Sequence, residues 1–137
     1  MKKAFTLIEI LVVVTIIGLL AAGAAVSYGQ FAKQSRDAKR KADLEQVRAA
    51  LEMYRSNNSA YITGNWNSLS ANPGLTTPTI YIQSLPSDPK NTVYSYYYNG
   101  SATDYTLGAY LETGVTICVA GGCGGNCNYC LGPYGQK

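Results

Sequence analysis

Between Ile10 and Val26 the chain carries no charged side chain, and only Thr15, Gly18 and Gly23 interrupt a run of Leu, Ile, Val and Ala. With its flanks the apolar stretch reaches from Phe5 to Tyr28, more than the ~20 residues that a helix needs to cross a bilayer core. Such a helix is apolar all round, so it belongs in lipid or against other apolar helices. Lys2 and Lys3 precede it, while Lys33, Arg36, Lys39, Arg40 and Lys41 follow it. Basic residues on both sides compete, so charge asymmetry does not fix the orientation.

Glu9 sits inside this run. A carboxylate at membrane depth costs roughly 2.5–3.5 kcal/mol on insertion scales and ordinarily has a partner. An ordinary secretory signal peptide accounts for the basic start and for the small residues Ala22, Ala24 and Ala25. Its apolar region, however, spans only ~7–15 residues, and it has no use for Glu9. A plain anchor fails on the same residue. Cleavage between Ala4 and Phe5 supplies the missing cation, because Phe5 would then carry a free amine. Within one helix the dipole favours a carboxylate in the first turn. Between neighbouring subunits, amine and carboxylate would neutralise each other. Because an unpaired buried charge is expensive, that pair would set the axial register of Phe5 and Glu9.

The segment Lys2-Lys3-Ala4 followed by Phe5-Thr6-Leu7-Ile8-Glu9-Ile10-Leu11-Val12 resembles the class III signal of type IV pilins and type II secretion pseudopilins. The likeness covers residues 1–30 and implies processing by a prepilin peptidase at Ala4 and Phe5, then N-methylation of Phe5. It also implies a contact from Glu9 to the adjacent subunit's amine. The implied partners are further copies of the chain in a helical homopolymer, the prepilin peptidase, a pilus assembly platform in the inner membrane, and the membrane itself before assembly. The implied location is the cytoplasmic membrane first and an extracellular filament on the cell surface afterwards. Two departures stand out. The family usually has glycine where this chain has Ala4, and many pilins have a proline near the position of Val26. Gly18 and Gly23 supply local weakness instead, each at up to ~1 kcal/mol.

Downstream, residues 31–55 contain no proline or glycine, and Leu44, Val47, Leu51 and Tyr54, joined by Ala50, form one apolar stripe at helical spacing. This predicts one helix from Phe5 to about Asn57, ended by Ser56-Asn57-Asn58-Ser59. The spacing offers Arg48–Glu52 and Asp37–Lys41 as surface pairs. Residues 60–91 are rich in Asn, Ser, Thr, Pro and Gly and read as a loop region. Leu85-Pro86-Ser87-Asp88-Pro89 resembles a motif found before the sheet in the major pseudopilins. Three strands are expected: Val93–Tyr98 with Tyr94, Tyr96 and Tyr98 on one face, then Tyr105 to Leu111, then Val115 to Val119. Asn99-Gly100 would open the first turn. The expected fold is α+β and pilin-like, one long helix on a small antiparallel sheet of about three strands with a Cys-rich C-terminal loop. Residues 1–4 form the leader, 5–28 the hydrophobic helix and 29–137 the head.

Cys118, Cys123, Cys127 and Cys130 crowd the tail. Their spacing lacks the paired C-x2-C knuckles of a zinc site, and Cys127-Asn128-Tyr129-Cys130 lacks the βαβ setting of a redox motif. Two disulfides in an exported chain are the favoured reading, with three connectivities open. Histidine is absent, which excludes Ser-His-Asp and Cys-His catalysis within the chain. Asp88, Asp104 and Glu112 are the only acids beyond residue 56 and look too scattered for acid–base work. No catalytic residue, cofactor or metal ligand is expected. The tail from Gly114 to Lys137 has no carboxylate for a calcium ion, which favours a pilin over a secretion pseudopilin. The basic stretch from Lys33 to Lys41 reads as a solvated helix face, so nucleic acid is not indicated. The expected function is that of a structural subunit of a type IV pilus-like filament. A type II secretion or competence (DNA-uptake) pseudopilin is the alternative within this class. A secreted or anchored Cys-rich binding domain, with zinc binding as one version, is the alternative outside it.

Overall fold

The computed structural model describes residues 5–71, 73–114, 118, 120–123 and 125–137. Helix α1 spans Leu7–Asn58. No proline lies inside it, and its glycines are confined to positions 18, 23 and 29, so nothing breaks the backbone ladder. It ends where Ser59 turns to φ 60° and its N–H closes on the Arg55 carbonyl at 2.7 Å, a left-handed cap. The chain divides into two compact units, Met1–Gln34 and Ser35–Lys137.

In the first unit, every described position from Leu7 to Ala24 is exposed. In the second, the stripe of Leu44, Val47, Ala50 and Leu51 is buried, and Tyr54 packs against it. These residues meet a five-stranded antiparallel sheet. Its members are β1 (Gly64–Asn65), β2 (Tyr97–Gly100), β3 (Tyr105–Ala109), β6 (Tyr129–Gly132) and β7 (Gly135–Gln136), in the order β1-β2-β3-β6-β7. Strands β4 (Ala120–Gly121) and β5 (Asn126–Cys127) form a separate pair. Tyr98 lies opposite Leu107, which lies opposite Leu131, so one row of buried side chains crosses the sheet over the helix stripe.

The pilin-like α+β architecture is as expected, but the strands are drawn differently. The first begins at Tyr97 rather than Val93. Asn99 and Gly100 do not turn; they pair with β1 and β3. The turn falls at Ser101–Asp104, closed by the Ser101 N–H on the Asp104 carbonyl at 2.8 Å. Gly100 is glycine for another reason: a Cβ there would collide with the Ile62 carbonyl and the Tyr98 hydroxyl, which hydrogen-bond to each other beside it. The third expected strand, at Val115, Ile117 and Val119, lies on residues outside those described. The neighbour of β3 is β6, where Tyr129 and Leu131 join the core over the helix stripe while Cys130 on the other face joins the disulfide cluster. Buried Asn128 prolongs that pairing, accepting from the Leu111 N–H at 2.6 Å and donating to its carbonyl at 2.9 Å.

The basic stretch is not simply a solvated face. Arg40 is 0% exposed. Its guanidinium binds Asp88 in bidentate fashion at 2.7 and 3.0 Å. It also reaches Asp37 at 2.8 Å and Glu112 at 3.1 Å. Arg36 grips Glu112 at 2.6 and 2.8 Å, and Lys90 adds 2.8 Å. Asp37 accepts from the Glu112 and Thr113 N–H groups and from the Thr113 hydroxyl. The expected pairs Asp37–Lys41 and Arg48–Glu52 are therefore not made. Arg48 bonds Glu45 at 3.1 Å, Glu52 accepts from Tyr61 and Tyr105, and Lys41 lies over the Tyr129 ring. Both carboxylates turn toward inward-facing donors because leaving those unsatisfied would cost more than an exposed pair returns.

Hydrogen bonds from Arg36 hold the Glu112 carboxyl well below its ordinary value, against the effect of burial and with help from Lys90 and Arg40. Burial alone would raise Asp37, but the Thr113 hydroxyl and the backbone N–H groups of Glu112 and Thr113, with Arg40, bring it below the usual range. Both folded values lie below the unfolded ones, so their contribution is complete above the unfolded pKa values of about 4 and fades below them. Urea midpoints followed through Trp66 emission are expected to be level from about pH 6 to 8 and to fall below about pH 4. Arg40→Met should cost about 3–5 kcal/mol at neutral pH, since it leaves buried carboxylates unpaired. A loss under about 1 kcal/mol in the same titration would show that the cluster does not hold the head together.

Candidate functional site

The candidate site begins where the apolar helix begins. Phe5 precedes the helix and is 80% exposed. Thr6 is the N-cap residue and Glu9 stands three positions on. The Glu9 carboxylate accepts from the Thr6 N–H at 2.8 Å and the Thr6 hydroxyl at 2.7 Å. The Glu9 N–H donates to the Thr6 hydroxyl oxygen at 3.3 Å. This reciprocal pairing satisfies two groups that a helix N-terminus leaves open. It also gives Glu9 a partner within its own chain. The Thr6-x-x-Glu9 spacing is the sequence signal that identifies Thr6 as part of the site. Ala4 lies outside the described residues.

Beyond the first turn, Leu7–Ala24 is long and apolar enough to cross a membrane, and none of it is buried within the chain. Its apolar surface points outward all round, with Thr15 turned back to bond the Val12 carbonyl at 2.7 Å. That arrangement can insert in lipid or pack against copies of itself.

The tail cysteines pair as Cys118–Cys130 and Cys123–Cys127, with Cα separations of 5.9 and 5.3 Å. No cysteine remains free. The pairs gather with Tyr97 and Tyr110 into a small second core. A Cβ on Gly108 would sit 2.8 Å from the Cys127 sulfur, so this core presses directly on β3. Among the described residues no group of His, Cys, Asp or Glu side chains is placed to hold a metal. The scattered acids Asp88 and Glu112 come together around Arg40, with Lys90 touching both. No sequence spacing signals that meeting, since Arg40 is 48 and 72 positions from its two partners. Loop lengths of 12 and 4 residues give chain-entropy contributions of about 3 and about 2 kcal/mol. Reduction should therefore lower the urea midpoint of the head, while a chelator leaves it unchanged. The opposite pattern would overturn the pairing.

Comparison with known proteins places this geometry. The family described as the prokaryotic N-terminal methylation motif matches residues 1–25, and the family described as type II secretion system (T2SS), protein G, matches residues 28–116. Curated relatives named type II secretion system core protein G include one from Pseudomonas aeruginosa, 33% identical over 124 residues, covering 79% of this chain and 84% of the relative. One from Vibrio cholerae is 32% identical over 118 residues, covering 79% and 81%. One from Escherichia coli is 32% identical over 96 residues, covering 64% and 66%. No solved structure matches the chain significantly. The acid-free tail had favoured a pilin over a secretion pseudopilin; the relatives fall on the secretion side, so a tail without carboxylates does not separate the two groups. With its methylation-type N-terminus and a head matching over most of its length, the chain belongs to the type II secretion system protein G family, a family of structural pseudopilin subunits.

Proposed function

We propose that this chain is the pseudopilin subunit of a type II secretion filament. Residues 1–4 are removed by a prepilin peptidase between Ala4 and Phe5, and the new Phe5 amine is methylated. The segment 5–28 anchors the subunit in the cytoplasmic membrane, then leaves it for the core of a helical homopolymer built on an inner-membrane platform. Residues 29–137 form the outer surface of that polymer. The observation that carries this reading is the wholly exposed apolar helix Leu7–Ala24 with one carboxylate, Glu9, in its first turn. Lipid accounts for the apolar surface, and a neighbouring amine would give the carboxylate the opposite charge that neutral Thr6 does not supply. In the single subunit Thr6 satisfies Glu9. In the polymer the Phe5 amine of an adjacent copy would take over, setting the register.

Intact mass tests the processing. The assembled protein should weigh as Phe5–Lys137 plus one methyl group and minus four hydrogens, for two disulfides. A chain beginning near Ala25 would mean an ordinary signal peptide and would end the filament reading. Glu9→Ala should abolish filaments and secretion while leaving the urea midpoint of the head unchanged. Normal filaments in that variant would remove Glu9 from the register. Loss of surface pili with intact secretion in a strain lacking the chain would place it in a type IV pilus instead.

A further inference from the structure

A cleft of about 310 Å³ opens on the head between the short helix at Trp66 and the start of β2. Trp66 and Tyr97, both half-buried, supply its accessible aromatic surface, buried Tyr96 and Tyr98 lie beneath, and Asn65, Asn67, Ser95 and Gly122 complete the rim. The walls are fixed. Trp66 opens a short 3-10 helix, Trp66–Ser70, and packs on the Tyr96 ring at 5.5 Å. Asn65 caps that helix, its side chain accepting from the Asn67 N–H at 3.1 Å while its own N–H donates to Ser68 at 3.2 Å. On the other side, a Cβ on Gly122 would lie 2.6 Å from the Tyr97 ring, so glycine lets the backbone rest on it. The Ser95 hydroxyl ties the Gly122 carbonyl at 3.0 Å, and the neighbouring Cys123–Cys127 disulfide holds the turn.

Asn65 and Ser95 spend their side chains on the walls, but three polar groups on residues lining this cleft are unspent. Among the described residues the Trp66 indole N–H, the Asn67 carboxamide and the Tyr97 hydroxyl have no hydrogen-bond partner. No charged side chain lines the site, so ion pairing with an anion or cation is not what it offers. An apolar anchor would cover the rings but leave those three groups dry and unpaired, at a loss of affinity. A ligand that fits must be uncharged, must have an apolar face for an aromatic ring, and must carry donors and acceptors around its edge. A pyranose ring has that make-up. The geometry points to a glycan-binding cleft between Trp66 and Tyr97, taking one sugar ring of a neutral or N-acetylated polysaccharide. One such contact is weak. A polymer of subunits facing a polymer of sugars would strengthen it by about 100-fold or more through multivalency.

Trp66 is the single tryptophan of the chain, so its emission reports the cleft directly. Chitotetraose and maltotetraose would be titrated into the full chain, held in a detergent without sugar headgroups. A saturable change in Trp66 emission is expected. A response to chitotetraose alone assigns an amino-sugar glycan strand, as in a cell wall; a response to maltotetraose alone assigns a neutral hexose polymer. Asn67→Ala and Tyr97→Phe should each weaken the response by about five-fold, with the urea midpoint of Asn67→Ala unchanged as proof of fold. No response to either sugar well above millimolar concentration overturns the proposal, as does a response untouched by both variants. A shift of Trp66 emission on filament assembly without any sugar response would overturn it too, and would make the cleft a contact between subunits.

Discussion

A guanidinium with no exposed surface must be surrounded by charge, and in this head Arg40 is surrounded by Asp37, Asp88 and Glu112. Burial opposes its charge, yet the three carboxylates raise its pKa above the ordinary value. Arg36 and Lys90 complete the neutralisation at Glu112. Such a cluster gives little net stability over a well-packed apolar substitute, but it punishes misplacement heavily. That distinction matters for a helix lying on a sheet. The apolar stripe from Leu44 to Tyr54 repeats with every turn and would tolerate a slip of one turn. Arg40 would not, since a slip would strand it from Asp88, 48 residues away, and from Glu112, 72 residues away. The cluster thus fixes which turn of α1 the sheet docks on, and it ties the loop at Asp88–Lys90 to the end of β3 by way of Glu112. Buried side-chain donors and acceptors among the described residues are all satisfied, as a one-register packing requires.

Local pattern carried the reading of the helix well, because a period of 3.6 and a proline-free stretch are properties of neighbouring residues. The apolar run, the stripe and the end near Asn58 all follow from it. The cysteines could be read as pairs from their compartment, but their connectivity could not, because spacing alone does not choose among closures. The strands were legible in part. Tyr105, Leu107 and Ala109 alternate cleanly and are buried. The strand at Tyr129–Gly132 was hidden because Cys130 and Gly132 do not announce a sheet, and the pairing of Asn99-Gly100 was masked by their habit of making turns. The ion cluster was illegible in principle. Arg36 and Arg40 resemble any basic helix face until Asp88 and Glu112 arrive from distant sequence.

The N-terminal unit presents the inverse problem. Its helix is formed by local rules, and among the described residues the apolar stretch Leu7–Ala24 has no surface buried within the chain. Its stability is therefore borrowed from lipid or from other copies, and the single costly feature is Glu9. Thr6 lowers that cost within one chain by giving the carboxylate two donors. Those donors are neutral. An ammonium at Phe5 of a neighbour is charged, and charge-assisted hydrogen bonds in a dry setting are roughly twice as strong as neutral ones. The proposed exchange of partner, from Thr6 in one chain to Phe5 in the next, therefore runs downhill only when the neighbour is in register. A neighbour one turn out of place would offer apolar side chains to Glu9, and Thr6 would keep it. On this account Thr6 makes the carboxylate tolerable in the lone helix, and the same carboxylate makes correct stacking preferable to any other.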